Sequence, residues 1–232
     1  MNITERFNNW YQGNNDYEKE PPRTGIRRIG YLAWNFTGKL VAVNLLFLLC
    51  CIPVVTIPAA VSSLNFYLGK MFRDGYGYSI SDFWKEFRRG LRKHILPGLL
   101  IFGIGFYAYY LMSLAGNFAG SAFKDIIFGI GTGVLVIDIV LGSYYFVLAS
   151  MLELPVRHLL KNTLILMVLE WKRSFLLGVE TILFLVMVLA FMPYSVIALI
   201  LGFSIQQLAV YAVVGPCVIN RIVKPYEKTC SC

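Results

Sequence analysis

The chain has 232 residues, 57% of them hydrophobic and only 15% charged, whereas soluble domains run at roughly 45–50% apolar and about 25% charged. So few charges cannot cover a water-facing surface, and so much apolar mass excludes an intrinsically disordered chain. The net charge of +8, from 21 Lys and Arg against 13 Asp and Glu, would suggest nucleic acid on a soluble protein. Here the apolar residues gather in long runs, so the basic residues are read as setting membrane orientation, with no nucleic-acid partner.

Residues 1–25 are polar and contain no apolar signal-peptide core, which predicts a cytoplasmic N-terminus. The first apolar region, Leu40–Phe72, is too long for one crossing and short for two, with Pro53 and Pro58 near its middle. Borrowing Ile29–Thr37 gives two spans, about 29–55 and 57–72, turning at Ile52–Pro58, with Lys39 snorkelling to the interface. Ser79–Lys93 reads as an amphipathic helix with Ser79 as N-cap. Phe83, Trp84, Phe87 and Leu91 recur at helical spacing, and the basic residues line the other side. Four further spans follow at about 95–115, 126–152, 175–192 and 195–220, the last two parted only by Met192-Pro193-Tyr194. His158–Arg173 and Ile26–Thr37 are weaker candidates for interfacial helices.

Charge selects the topology. Two crossings within Leu40–Phe72 put Arg23, Arg27 and Arg28 on the same side as the Lys85–Lys93 cluster, the 153–174 connector and the tail. Of all the basic residues only Lys124 then falls outside. The expected fold is an all-α membrane protein with six transmembrane helices in three hairpins, cytoplasmic interfacial amphipathic helices and both termini cytoplasmic. A re-entrant Leu40–Phe72 hairpin would keep the same sidedness. The layout reads as three units, each an interfacial helix plus a hairpin. The five cysteines form no disulfide framework: Cys50, Cys51 and Cys217 are in apolar segments, and Cys230 and Cys232 are in the polar tail.

Asp138 is the most informative single position. It falls near the centre of an apolar span, where an ionised carboxylate costs roughly 2.5–3.5 kcal/mol. It is expected to face the bundle interior, either contacting an ion, proton or solute, or bonded structurally to Thr132, Tyr144 or a neighbouring helix. Glu180 is read as leaning back toward the cytoplasmic interface, within reach of a basic residue there. Asn44 and Asn65 could join Asp138 in a polar interior. Gly129 and Gly133 share a helix face and are expected to permit close packing, as are Gly98, Gly103 and Gly105. Lys85, Arg88, Arg89, Arg92 and Lys93 are expected to lie on anionic inner-leaflet lipid. His94 and His158 have no metal-ligand spacing. No nucleophile–base set, P-loop or carboxylate cluster occurs, so no catalytic residue, metal or cofactor is expected.

Leu45–Tyr67 reads LLFLLCCIPVVTIPAAVSSLNFY and is followed by Ser81-Asp82-Phe83-Trp84-Lys85-Glu86-Phe87. A leucine-rich span ending in Ile-Pro-Val-Val-Thr, a small-residue helix, then Asp-Phe-Trp-x-x-Phe resembles the YesL-like family of bacterial predicted integral membrane proteins, a domain of unknown function. The resemblance extends over about 26–220, with its motifs in 45–90; Pro58 departs from an expected glycine. It implies a small multi-span protein whose genes often neighbour carbohydrate ABC-importer genes, and it implies no established site residues. The leading expectation is therefore a non-enzymatic bacterial plasma-membrane protein accessory to carbohydrate uptake, with importer subunits as possible partners. A small permease or channel with a midplane site around Asp138 is the alternative, and a membrane-embedded lipid enzyme the second. The oligomeric state is left open.

Overall fold

Each time this chain passes from an amphipathic stretch into an apolar one, a single residue makes the bend. The computed structural model describes residues 25–118, 122–190 and 195–225. The N-terminal polar segment up to residue 24, the Met192-Pro193-Tyr194 turn and the tail carrying Lys228, Cys230 and Cys232 lie outside the described residues. Among the described residues the structure is all-helical: α1 Ile26–Asn35, α2 Thr37–Cys51, α3 Ile57–Asp74, α4 Ile80–Lys93, α5 Ile95–Ala115, α6 Ala122–Met151, α7 Val156–Leu169, α8 Trp171–Ala190 and α9 Ser195–Val218. Short 3₁₀ turns at Val54–Thr56 and Gly116–Phe118, and a π-helical turn at Ile219–Val223, complete it.

The three elbows are Phe36, His94 and Glu170, separating α1 from α2, α4 from α5 and α7 from α8. Their φ/ψ values of −119°/24°, −109°/−6° and −106°/43° lie in or near the sparsely populated bridge region. Each elbow amide donates four residues back, to the carbonyls of Leu32, Gly90 and Leu166, and each elbow carbonyl accepts from Leu40, Gly98 or Ser174 four residues on. Each longer helix then packs against the helix that follows it: α2 on α3, α5 on α6, α8 on α9.

Among the described residues, three helical stretches are long and apolar enough to cross a membrane, Ile95–Phe118, Ala122–Met151 and Leu201–Val223; a bent α1–α2 pair would make a fourth. The expected first span, about 29–55, is not one helix, because α1 and α2 meet at 90°. The cause is local. Phe36 is buried, and Lys39 turns inward rather than snorkelling, its Nζ donating to the Gly77 carbonyl at 3.0 Å. The Ile52–Pro58 turn forms as expected. The Thr56 hydroxyl donates to the carbonyls of Cys50 and Pro53, both at 2.6 Å, and α3 starts with Pro58 in its first turn. Gly75, at φ 80°, stops α3 in the left-handed conformation that favours glycine.

The helix α3 is the core element, buried along most of its length and packed on α2, α4, α6 and α9. It runs antiparallel to α4: Ala59 faces Gly90 near one end, while Tyr67 donates to the Tyr78 carbonyl and Lys70 pairs with Asp82 at 2.9 Å near the other. Ser79 caps α4 as its sequence predicts, accepting from the Ser81 amide. On the apolar face of α4, Phe83 and Phe87 are buried against protein, while Trp84 remains 40% exposed. Close packing of α5 on α6 falls to a different glycine from the expected pair. A Cβ on Gly131 would lie 2.8 Å from Met112, whereas nothing approaches Gly129 or Gly133 within 4 Å. Gly98 behaves as expected, for a Cβ there would stand 2.2 Å from Pro58; Gly103 faces open space.

Candidate solute cleft beside Asp138

Asp138 lies sixteen residues into α6, so at 1.5 Å per residue it stands about 24 Å from the start of that helix. Here α5 and α6 part from α3, α8 and α9 and leave a cleft of about 530 Å³. Its walls are mainly apolar, with Phe102, Phe106 and Leu135 among them, and its polar groups are Asn65, Asp138, Ser143 and Gln207. Asp138 is 7% exposed, and its Oδ1 is buried with no hydrogen-bond partner. Oδ2 points at Gly105 on α5, where a Cβ would come within 2.8 Å, so the missing side chain makes room for the carboxyl group. Asn65 is 2% exposed; its amide donates to the Val61 carbonyl at 2.9 Å, while its Oδ1 has no partner.

The internal partners anticipated for Asp138 are engaged elsewhere. Thr132 donates to the Phe128 carbonyl at 2.8 Å, and the Tyr144 hydroxyl accepts from Ser174 at 3.2 Å. Ser143 likewise turns to the Ile139 carbonyl. Two residues that line one cleft thus each hold a buried acceptor without a partner. Leaving such groups without partners costs about 1–3 kcal/mol each, more for a charge. What they can bind is a hydrogen-bond donor, a hydroxyl or amine on a molecule small enough for the cleft.

The other residues singled out from the sequence separate from this site. Glu180 pairs with no basic residue: it accepts from the Gln206 side chain at 3.0 Å, linking α8 to α9. Asn44 is fully buried in α2 and is not among the residues lining the cleft. On α4, Lys85, Arg88, Arg89 and Arg92 are exposed and Lys93 is half-buried. Arg88 lies 5.8 Å over the Trp84 ring, and Arg89 reaches Glu153 at 2.7 Å. A groove of about 470 Å³, with Leu46, Trp84, Lys85 and Arg88 in its walls, runs between α2 and α4.

Periodicity missed a set of buried polar residues near the elbows. His94 is 1% exposed and hydrogen-bonds the Tyr145 hydroxyl at 3.2 Å; burial, reinforced by the charges of Lys93 and Arg89, pushes its pKa down to about 4. Glu86 on α4 is buried too, and burial raises its pKa against the opposing pull of Arg89 and Lys93. In sequence, His94 stands where the basic stretch Arg92-Lys93 gives way to the apolar run from Ile95. No group of three or more His, Cys, Asp or Glu placed to hold a metal ion occurs among the described residues. Cys50, Cys51 and Cys217 are free thiols.

Residues 40–112 match a family described as a protein of unknown function, DUF624. The matched segment, less than half the chain, contains the Ile-Pro-Val-Val-Thr turn and the Asp-Phe-Trp-x-x-Phe helix, together with Asn65 and Gly105 of the cleft. No curated protein and no solved structure matches the chain.

Proposed function

We propose that this is a YesL-like integral protein of the bacterial plasma membrane that takes a small hydroxyl- or amine-bearing solute into the cleft beside Asp138 and acts as a permease or channel, without an enzymatic step. One observation carries the reading: two unpaired buried acceptors, Asp138 Oδ1 and Asn65 Oδ1, share a cleft halfway along a helix long enough to cross a bilayer. Ionisable groups at such depth are costly, and they mark solute or ion pathways. In this reading α5, α6, α8 and α9 cross the membrane, both termini are cytoplasmic, and α2 and α3 form a re-entrant pair beside α4. The dimensions support re-entry. α2 has 15 residues and is about 22 Å long, against a hydrocarbon core of about 30 Å. α3 keeps company along its length with α4, whose exposed Lys and Arg belong in water or headgroups.

The test is uptake of labelled mono- and disaccharides into proteoliposomes. Wild-type protein is expected to admit at least one of them faster than protein-free liposomes. Asp138→Asn is expected to lower that flux about tenfold or more while leaving the thermal unfolding midpoint unchanged or higher. Flux that is absent for every sugar, or equal in the variant, overturns the reading.

A second reading, an accessory role beside an ABC-type carbohydrate importer, is favoured by α4. With Phe83 and Phe87 buried, the helix offers Lys85, Arg88, Arg89 and Arg92 outward to a headgroup layer or an acidic partner. Co-purification of importer subunits with the wild type, lost on reversing these four charges, is its expected signature.

A further inference from the structure

What the Asp138 cleft lacks says which kind of solute it takes. Asp138 and Asn65 line it at 7% and 2% exposed, and each has an Oδ1 without a hydrogen-bond partner. Among the described residues lining the cleft there is no Lys, Arg or His, so an ionised Asp138 meets no counter-charge on these walls. The donors nearby are spent elsewhere. The Asn65 amide donates to the Val61 carbonyl at 2.9 Å, and the Ser143 hydroxyl donates to the Ile139 carbonyl at 2.8 Å. Around these groups the walls are apolar, and Phe102, Phe106 and Phe146 put three aromatic rings among them.

The shortfall can be counted. Two buried acceptors call for two donors, and a carboxylate held away from water calls for a positive charge as well. A neutral hydroxyl brings one donor and no charge. A quaternary ammonium brings charge and no donor. A primary ammonium brings the charge and three donors on a single nitrogen, and aromatic rings attract it further where it lies over them. A hard metal ion is served less well, for it takes about six or more oxygens. The side chains of Asn65, Asp138, Ser143 and Gln207 carry fewer than that. Room for the charged end is built in on α5, where Gly105 has no Cβ to crowd the Asp138 Oδ2; one would stand 2.8 Å away.

We propose that the solute of this cleft is a primary amine bound as its ammonium, the nitrogen donating to the Asp138 carboxylate and to Asn65 Oδ1. Its carbon body lies among the apolar walls. The inference rests on reading the cleft as a solute site, and it narrows the class: charge and donor number together favour an amine over the alcohol of the same shape. Asp138 selects for charge, and Asn65 takes up a second hydrogen of the ammonium.

The test is thermal unfolding of the full chain in neutral detergent, near neutral pH and at constant ionic strength, titrated with n-butylammonium chloride or with n-butanol. The amine is expected to raise the wild-type midpoint, with an apparent affinity about tenfold or more above that of the alcohol. Asp138→Asn is expected to abolish this preference, so that the two probes act alike. Asn65→Ala, which keeps the carboxylate, is expected to weaken amine binding about fivefold and to retain the preference. Equal action of amine and alcohol on the wild type overturns the proposal. So does a preference that survives Asp138→Asn, or amine binding unchanged by Asn65→Ala. Sugar uptake reports separately on transport. Uptake lost in Asp138→Asn without an amine preference leaves the permease reading standing and removes this one; an amine preference without uptake removes the permease and keeps the amine site.

Discussion

Near the elbows, three buried polar side chains have partners: Lys39 has the Gly77 carbonyl, His94 the Tyr145 hydroxyl, and Ser174 the Tyr144 hydroxyl and the Met167 carbonyl, while the Tyr31 and Thr163 hydroxyls have none. Halfway along α6, Asp138 and the carbonyl oxygen of Asn65 have none. Both regions put polar groups among apolar residues, where an unpaired group is expensive and a paired one holds the geometry. The difference separates two uses of polarity. The elbow region spends it on fixing the angle at which an interfacial helix enters a long one. The cleft keeps it in reserve, which is the condition for binding something else.

The comparison can be broken most severely by disturbing the packed region. Gly98→Val places side-chain atoms where Pro58 already stands, 2.2 Å from the new Cβ, and should cost about 3 kcal/mol or more, read as a lower unfolding midpoint in detergent. The pH dependence comes next. His94 is neutral in the fold, with its pKa lowered from 6.5 to about 4, so below pH 6.5 the unfolded chain binds the proton more readily. The contribution of His94 to stability should be level above pH 6.5 and fall by about 3 kcal/mol between pH 6.5 and 4, with the raised pKa of Glu86 working in the opposite sense. His94→Gln, which keeps a hydrogen-bonding group beside Tyr145, should flatten that slope.

Asp138→Asn sharpens the comparison in the opposite sense. If the carboxylate is held in reserve, removing its charge should leave stability unchanged or raise it by about 1 kcal/mol, even as solute flux is lost. A loss of stability comparable to that of Gly98→Val would place Asp138 with the elbow residues instead. The smallest effect belongs to Glu153→Gln. The 2.7 Å pair with Arg89 joins two solvent-accessible side chains, and its loss should cost under about 0.5 kcal/mol and vanish in high salt.

Much of the chain could be read without a structure. The Ile52–Pro58 turn, the Ser79 cap and the apolar lengths of α5 and α6 follow from residue type and spacing alone, because proline geometry, hydroxyl capping and hydropathy act locally. The same patterns left the cover of α4 open and misjudged the glycine run. Amphipathicity states that one face of α4 needs apolar cover without saying whether lipid or α3 provides it. Gly129 and Gly133 have the spacing of a packing motif, yet the rotation of α6 about its axis turns Gly131 toward α5 instead. The 90° bend at Phe36 was equally hidden, since it depends on Lys39 reaching a carbonyl 38 residues away.

By itself, then, the sequence determined that this chain is helical and apolar, where its turns fall, and that a carboxylate stands in the middle of an apolar helix. These are properties of composition and of short-range periodicity. Only the tertiary structure decided which polar groups find partners. Asp138 and His94 are both titratable residues that meet apolar runs in sequence, His94 at the end of the basic stretch Arg92-Lys93 and Asp138 inside a span. One meets a tyrosine hydroxyl across 51 positions and the other meets a cleft, because long-range packing determines which atoms face each other and which face space.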